Sequence, residues 1–473
     1  MEIIGREREK IILDKLVQDD ESHFLAVYGR RRIGKTYLIR QYFAKQMVFE
    51  VSGLNEKDKD QQLENFWITQ YDFEKSKREK STTWLQAFQN LKDYVSTIKG
   101  NKKKVIFLDE IAWFETPKSG FLAALDKFWN QFCSKRSDII LVICGSAASW
   151  IIKKVVNNKG GLHNRLTCQI QLQAFDVQET KKYLLKKGIK LVDADLVKLY
   201  MCIGGIPYYL RYFEKGNSVD QFINQLFFDE NAHLKNEFAN LYASLFKNHE
   251  SHVSVVKALS LKNKGLTRNE ILKATKLTSG GGFTKVLTEL IVCGFVKEIA
   301  PIGFKKEEVL YRLMDEFTVF YFKFLATLKK KSTWLQFANS QVVKIWQGYS
   351  FENFILKHIN LVKKQLGISG ILSNEYSWFF KGNTIDQGTQ IDFVIDRADN
   401  CINIIEVKFH NTTFEITKDY HKTLLNKKEL FIEKTKTKKN VFVTMISLNG
   451  VKVNEYYLSA VNNQINLSQM LKL

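Results

Sequence analysis

The sequence predicts an α/β chain of several domains, the first built on a parallel sheet with helices on both faces. Two observations carry this. Residues 24–28, 105–108 and 139–144 are continuous apolar runs, the pattern of strands buried on both faces rather than the alternation of half-exposed ones. The chain is also 473 residues long with a 45% hydrophobic fraction, more than one core can use, so two or three are expected.

The formal charge of +21 points to a polyanionic partner if the basic residues cluster. A genome-wide compositional bias, seen in abundant Lys, Asn, Ile and Phe beside three Pro, explains the same number. Cys133, Cys144, Cys168, Cys202, Cys293 and Cys401 are dispersed, without metal-ligand spacing, and read as buried thiols of a reducing compartment. The start has no signal-peptide anatomy, and the longest apolar run, 139–144, is too short to span a bilayer. A soluble, cytoplasmic protein with no membrane partner is expected.

The run 24–28 stops at Gly29-Arg30-Arg31-Arg32-Ile33-Gly34-Lys35-Thr36, and helical spacing of Leu38, Ile39 and Phe43 follows. Strand, loop and helix in this order aim backbone N–H groups and a helix N-terminus at phosphates. The two glycines allow the backbone angles, Lys35 is expected on the β/γ-phosphates, and the Thr36 hydroxyl on Mg²⁺. The expected cofactors are ATP, with GTP second, and Mg²⁺. The run 105–108 ends at Asp109-Glu110, where Asp109 is the metal-side carboxylate and Glu110 the group that polarises the attacking water. A plain cap of the next segment is the other reading of this pair. After the run 139–144, Ser146 is a candidate γ-phosphate sensor or, equally, the cap of a following helix.

These residues resemble a known family. Ile3-Ile4-Gly5-Arg6-Glu7-Arg8-Glu9 is similar to the signature that opens STAND-type NTPases, a branch close to the AAA+ ATPases, and Gly205-Ile206-Pro207 to their GxP lid motif. The P-loop, Leu108-Asp109-Glu110-Ile111 and Gly204-Gly205-Ile206-Pro207-Tyr208-Tyr209-Leu210 resemble archaeal-type predicted ATPases that also occur in bacteria, and the resemblance extends over the whole chain. It implies a core at 1–172, a helical lid at 173–246 that brings Pro207 to the nucleotide, and, in Leu162-His163-Asn164-Arg165-Leu166, an Arg165 that contacts the γ-phosphate in cis or in trans. A solvated arginine is the alternative.

Residues 247–315 read as a winged helix-turn-helix. Helical patterns at 253–259, at 267–272 with Thr267 and Glu270 as a capping box, and at 286–291 precede a Gly turn and a strand. Eight Lys and Arg against four Glu over residues 248–300 give net +4, with Thr284 and Lys285 outward on the third helix. Contact with double-stranded DNA is one reading, and a regulatory packing module the other. The aromatic-rich stretch 310–328 reads as a buried connecting helix rather than a stacking platform, and residues 316–344 as the connecting helix to the last domain.

In the last domain, 345–473, a helix is expected to begin at Phe351-Glu352-Asn353-Phe354, followed by strands at 388–395 and 402–409. Asp392 and Glu406 then sit on neighbouring strands, and Lys408 shares a face with Glu406 because strand side chains repeat every second residue. Such carboxylates can hold a metal-bound water and the lysine can orient it, a second Mg²⁺ or Mn²⁺ site independent of the P-loop. The order resembles the PD-(D/E)xK nuclease core, in which Glu352 matches the acid of the first helix. Gln390 stands where many relatives carry an acid. A surface hairpin with a salt bridge is the alternative.

The expectation is an ATP-hydrolysing switch of the STAND/AAA+ type acting at DNA, partnered by ATP, duplex DNA and a second copy or another protein. The alternative is an ATP-dependent regulatory scaffold without nucleic-acid cleavage. A polymer-binding motor is the third class.

Overall fold

The computed structural model describes residues 2–76, 79–100, 102–146, 148–156, 165–246, 248–303, 308–327, 333–382 and 388–472. Two compact units form, Met1–Ala174 with Ser244–Lys247, and Phe175–Ala243 with Asn248–Leu473.

The first unit is built on five parallel strands: β1 (His23–Tyr28), β2 (Met47–Ser52), β3 (Lys104–Asp109), β4 (Ile139–Gly145) and β5 (Cys168–Gln171). Their order is β2-β3-β4-β1-β5. Every residue of β1, β3 and β4 is buried, as the unbroken apolar runs require of central strands. Each Ile, Leu or Val so buried contributes about 1.5–3 kcal/mol of transfer free energy, which fixes the register of the three strands that end at the motifs. Between β2 and β3 the helices Lys59–Glu74 and Trp84–Thr97 start at Asp58 and Thr83, whose side chains accept backbone N–H groups. Trp84 packs edge-on against Phe66, Phe114 and Phe121 beneath them.

The second unit opens with helices Val177–Lys186, Asp193–Ile203, Pro207–Leu210 and Val219–Ile223. Helices His249–Ser260, Arg268–Thr275 and Gly281–Val292 follow, with a small antiparallel sheet of β6 (Leu266–Thr267), β7 (Val296–Ile299) and β8 (Leu310–Leu313) in the order β6-β8-β7. The Thr267–Glu270 capping box is present.

The last part carries β9 (Ser373–Phe380), β10 (Thr389–Arg397), β11 (Cys401–Lys408), β12 (Asn440–Ser447) and β13 (Asn463–Asn466), in the order β13-β12-β11-β10-β9. The β9, β10 and β11 pairings are antiparallel, and β11, β12 and β13 run parallel. Helix Lys418–Thr435 packs Leu424, Leu430 and Phe431 into the core of this sheet. Residues 300–302 lie along β9: the Ile302 N–H donates to the Ser377 carbonyl at 3.1 Å and the Ser377 N–H to the Ala300 carbonyl at 3.0 Å.

Three expectations need correction. The aromatic stretch starts as strand β8, and its helix begins only at Glu316, where the Asp315 carboxylate accepts the Thr318 N–H. Residues 316–344 are not one connecting helix but a helix with a π turn, Glu316–Phe320 and Tyr321–Leu325, and a short helix, Trp334–Phe337. The helix expected to begin at Phe351 begins at Gln341, capped by Ser340, and runs to Lys357, so a boundary at 345 falls inside it. Of the aromatics, Phe317, Phe320 and Phe324 are core, Phe320 packing on Trp334 and Trp346, while Tyr311, Tyr321 and Phe322 are half-buried. Of the six thiols, Cys168 and Cys401 are only half-buried. Among the described residues no helix is long and apolar enough to cross a membrane.

Candidate functional site

Parallel strands deliver their C-terminal ends to one edge of the sheet, and in the order β3-β4-β1 three of those ends carry the motifs. The P-loop follows β1. Gly29 and Gly34 take positive φ, 149° and 92°. A Cβ on Gly29 would lie 2.3 Å from the Leu172 carbonyl oxygen, so only glycine lets β1 turn there beside the chain leaving β5. Arg6 braces the loop from below, its guanidinium donating to the Ile33 carbonyl at 2.9 Å and the Gln173 carbonyl at 2.7 Å. The sequence signal for this was the N-terminal Gly-Arg-Glu motif, whose contacts the motif alone could not give.

Lys35 is buried in the loop, donating to the Gly29 and Arg30 carbonyls at 3.0 Å each. Thr36 Oγ1, in the first turn of helix Lys35–Tyr42, donates to Asp109 Oδ2 at 2.8 Å. Asp109 Oδ1 accepts the Glu110 N–H at 3.0 Å, and Glu110 itself sits at φ 46°, a left-handed conformation that a non-glycine residue adopts at a cost of order 1 kcal/mol. Ser146, at the end of β4, gives both its N–H (3.0 Å) and its hydroxyl (2.9 Å) to Glu110 Oε2. An amine inside the loop and a hydroxyl–carboxylate pair at a helix N-terminus fit a Mg²⁺-nucleotide. Arg31 is exposed, and Arg30, Arg32 and Ile33 complete the loop. Arg165 is exposed in the turn before β5, while Leu162, His163 and Asn164 lie outside the described residues.

Pro207 belongs to the second unit, as the first residue of helix Pro207–Leu210. The glycines before it are close-approach positions: a Cβ on Gly205 would lie 1.8 Å from the Phe175 carbonyl oxygen, and one on Gly204 2.7 Å from Glu316 Oε2.

In the C-terminal sheet the pairing of Phe393 with Ile405 sets Asp392 and Glu406 on adjacent strands, and Lys408 Nζ lies 3.9 Å from Glu406 Oε2. The sequence missed what surrounds them. Lys427 Nζ, from helix Lys418–Thr435, lies 2.5 Å from Glu406 Oε1, and the Tyr420 hydroxyl donates to Oε2 at 3.1 Å. Asp392 Oδ2 accepts the Val407 N–H at 2.8 Å. Glu352, on helix Gln341–Lys357, is held by Arg312 of β8 at 3.3 Å. Burial, with the nearby Asp392 charge second, pushes the Glu352 carboxyl up to about 7 and that of Glu406 up as well. Burial beside Glu406 raises the Tyr420 phenol. Lys264 also feels Glu352 and Asp392, though burial dominates and lowers its pKa.

Among the described residues no group of three or more His, Cys, Asp or Glu is gathered to hold a metal ion. The donor set expected for a second Mg²⁺ or Mn²⁺, from Asp392, Glu406, Lys408 and Glu352, is therefore not assembled. Glu406 Oε1 is engaged by Lys427 and Oε2 by the Tyr420 hydroxyl, Asp392 Oδ2 by the Val407 N–H, and Glu352 Oε2 by Arg312.

A parallel sheet with this loop after one strand and an acid pair closing another defines a P-loop ATPase domain. Residues 4–213 match the family model of an ATPase domain predominantly from Archaea, so the chain carries an ATPase domain of archaeal type. It is similar to the uncharacterized protein MJECL04 of Methanocaldococcus jannaschii, 24% identical over 329 residues, 68% of each chain. Among solved structures it is similar to the Walker-type ATPase of Pyrococcus abyssi, at 14% identity and a TM-score of 0.50 over 68% of this chain and 96% of that one, a likeness of fold. The ORC2 protein of Aeropyrum pernix matches at 13% identity and a TM-score of 0.44, over 67% of this chain and 93% of that one.

Proposed function

We propose that the chain is an ATP-binding and ATP-hydrolysing switch of the STAND/AAA+ type that acts at DNA. The observation that supports it most is the convergence of Lys35, Thr36, Asp109, Glu110 and Ser146 at the ends of β1, β3 and β4.

In this reading Lys35 exchanges the Gly29 and Arg30 carbonyls for β/γ-phosphate oxygens, and the loop N–H groups take the rest. The Thr36 hydroxyl and the Asp109 carboxylate would hold Mg²⁺, which would offset phosphate charge. Glu110 accepts the proton of the attacking water at its carboxylate, which Ser146 steadies through Oε2. Arg165 contacts the γ-phosphate, and Pro207 belongs to the segment read as the lid.

The domains proposed are the core at 1–172, the lid at 173–246, a winged helix at 247–315, a connecting segment at 316–344 and a nuclease-like α/β domain at 345–473. Three helices with the β6-β8-β7 sheet support the winged helix, and exposed Lys285 on the third helix supports contact with duplex DNA. The β10–β11 hairpin with its two acids supports the nuclease-like reading of the last domain. The pairing of Glu406 with Lys427 favours the second reading there, a module that regulates or binds without cutting.

The test is equilibrium binding of labelled ATP together with turnover. Lys35→Ala is expected to abolish binding, and Glu110→Gln to keep wild-type affinity while lowering turnover at least about a hundredfold. Unchanged affinity in the Lys35 variant would refute the P-loop reading.

A further inference from the structure

Three carboxylates of the C-terminal region, Glu352, Asp392 and Glu406, act on one another electrostatically, and four cations, Arg312, Lys427, Lys408 and Lys264, stand against them. Arg312 pairs with Glu352 at 3.3 Å, Lys427 with Glu406 Oε1 at 2.5 Å, and Lys408 stands 3.9 Å from Glu406 Oε2. The cations outnumber the carboxylates without any metal. We propose that the Lys427 ammonium fills the cation seat of this cluster, so that the C-terminal module works without a divalent ion.

The geometry carries the argument. Glu406 is only 1% exposed, and both of its oxygens are engaged, one by Lys427 and the other by the Tyr420 hydroxyl. Mg²⁺ demands near-octahedral oxygen ligands at about 2.0–2.1 Å, whereas an ammonium accepts looser geometry and supplies one charge through N–H donors. Lys427 is not a mobile surface side chain that happens to fold back. Its helix is pinned on either side by Leu424, 1% exposed, and Phe431, fully buried, so the ammonium is delivered to the carboxylate by a fixed backbone. A second cation is committed in the same way. Arg312 is 4% exposed, and its Nε has no hydrogen-bond partner among the described residues, an arrangement tolerated when the guanidinium is needed for its charge on Glu352. Arg312 comes from β8, so the part of the chain bearing the three-stranded sheet supplies one of the counter-charges of the acidic site.

This inference rests on the nuclease-like reading only for the identity of the acids, and it decides between cutting and binding within that reading. It predicts that any action of this module on a phosphodiester backbone is recognition, with Lys408, 31% exposed, as the cation left to meet it.

The experiment uses the full chain, free of nucleotide, with Mn²⁺ binding followed by electron paramagnetic resonance. The wild type is expected to show no saturable Mn²⁺ that depends on Asp392. Lys427→Gln removes the ammonium and is expected to gain one site, with affinity raised about tenfold or more, which Asp392→Asn in the same chain removes again. Lys427→Arg keeps a cation and should behave as wild type. A wild-type Mn²⁺ site abolished by Asp392→Asn would overturn the proposal while leaving the nuclease-like reading intact. So would a folded Lys427→Gln chain that gains no site. Should Lys427→Gln not fold, the wild-type and Asp392→Asn titrations decide. Duplex DNA binding in EDTA is the separate arm: its absence counts against the DNA reading, and its dependence on added Mn²⁺ against the proposal.

Discussion

His358 is buried, with Nδ1 2.8 Å from the Phe354 carbonyl oxygen and Nε2 3.1 Å from the Val177 nitrogen. The Val177 N–H can only donate, so Nε2 is unprotonated, Nδ1–H donates to Phe354, and the ring is neutral. Burial pushes its pKa down to about 4 from 6.5. As pH falls, the unfolded chain therefore takes up this proton first. Stability attributable to His358 is constant above about pH 6.5 and declines through the window down to about 4, by roughly 3 kcal/mol in total. Denaturant midpoints of wild type and His358→Gln, compared at about pH 7.5 and about pH 5, should show the wild-type advantage shrinking at the lower value. Parallel pH profiles for the two proteins would rule the assignment out. At this scale the P-loop residues and Asp109–Glu110 were legible in the sequence because their geometry is local, a loop and a strand end. Lys427 was not recognised, although it left a signal: Tyr420, Leu424, Lys427 and Phe431 recur at spacings of four, three and four, so a lysine interrupts an apolar helical stripe. Arg312 left none, because its partner Glu352 is forty positions away.

The start of helix Arg268–Thr275 was legible because a side chain caps it within three residues. In the Thr267–Glu270 box the Thr267 N–H donates to Glu270 Oε2 at 2.9 Å, and Thr267 Oγ1 accepts the Glu270 N–H at 3.3 Å. Thr267→Ala should cost about 1 kcal/mol. A fall in the thermal midpoint of the full chain checks this, and a Thr267→Ser variant that falls as far as the alanine one would count against the cap as the cause. The start of helix Gln341–Lys357 was missed for a physical reason. Val342, Ile345 and Tyr349 are apolar yet exposed, by 53%, 49% and 37%, so its first turns show no polar face from which a helical period could be read. Likewise β8 merges without punctuation into the aromatic run after it, and only Asp315, two residues past its end, marks the change from strand to helix.

Across the molecule the parallel order of the first sheet was readable from unbroken apolar runs, while the pairing of distant segments in the second unit was not. The net charge of +21 has one sharp test at Lys285, whose side chain is 66% exposed and 3.8 Å from Glu289. Lys285→Glu places two acids one helical turn apart, a cost of a few tenths of a kcal/mol, so the fold should persist. Affinity for duplex DNA should fall and the salt slope drop by about one. Wild-type affinity and slope in this variant would remove the third helix from any DNA interface. The hydrogen bonds between residues 300–302 and Ser377 bear on how such a chain can be divided. Strand β9 ends the C-terminal sheet, and these residues cover part of its outer ladder. A polypeptide beginning at 345 would start inside a helix and expose that ladder, a ready template for the strand of another molecule. A fragment cut between residue 302 and strand β9 would thus be prone to self-association through that edge.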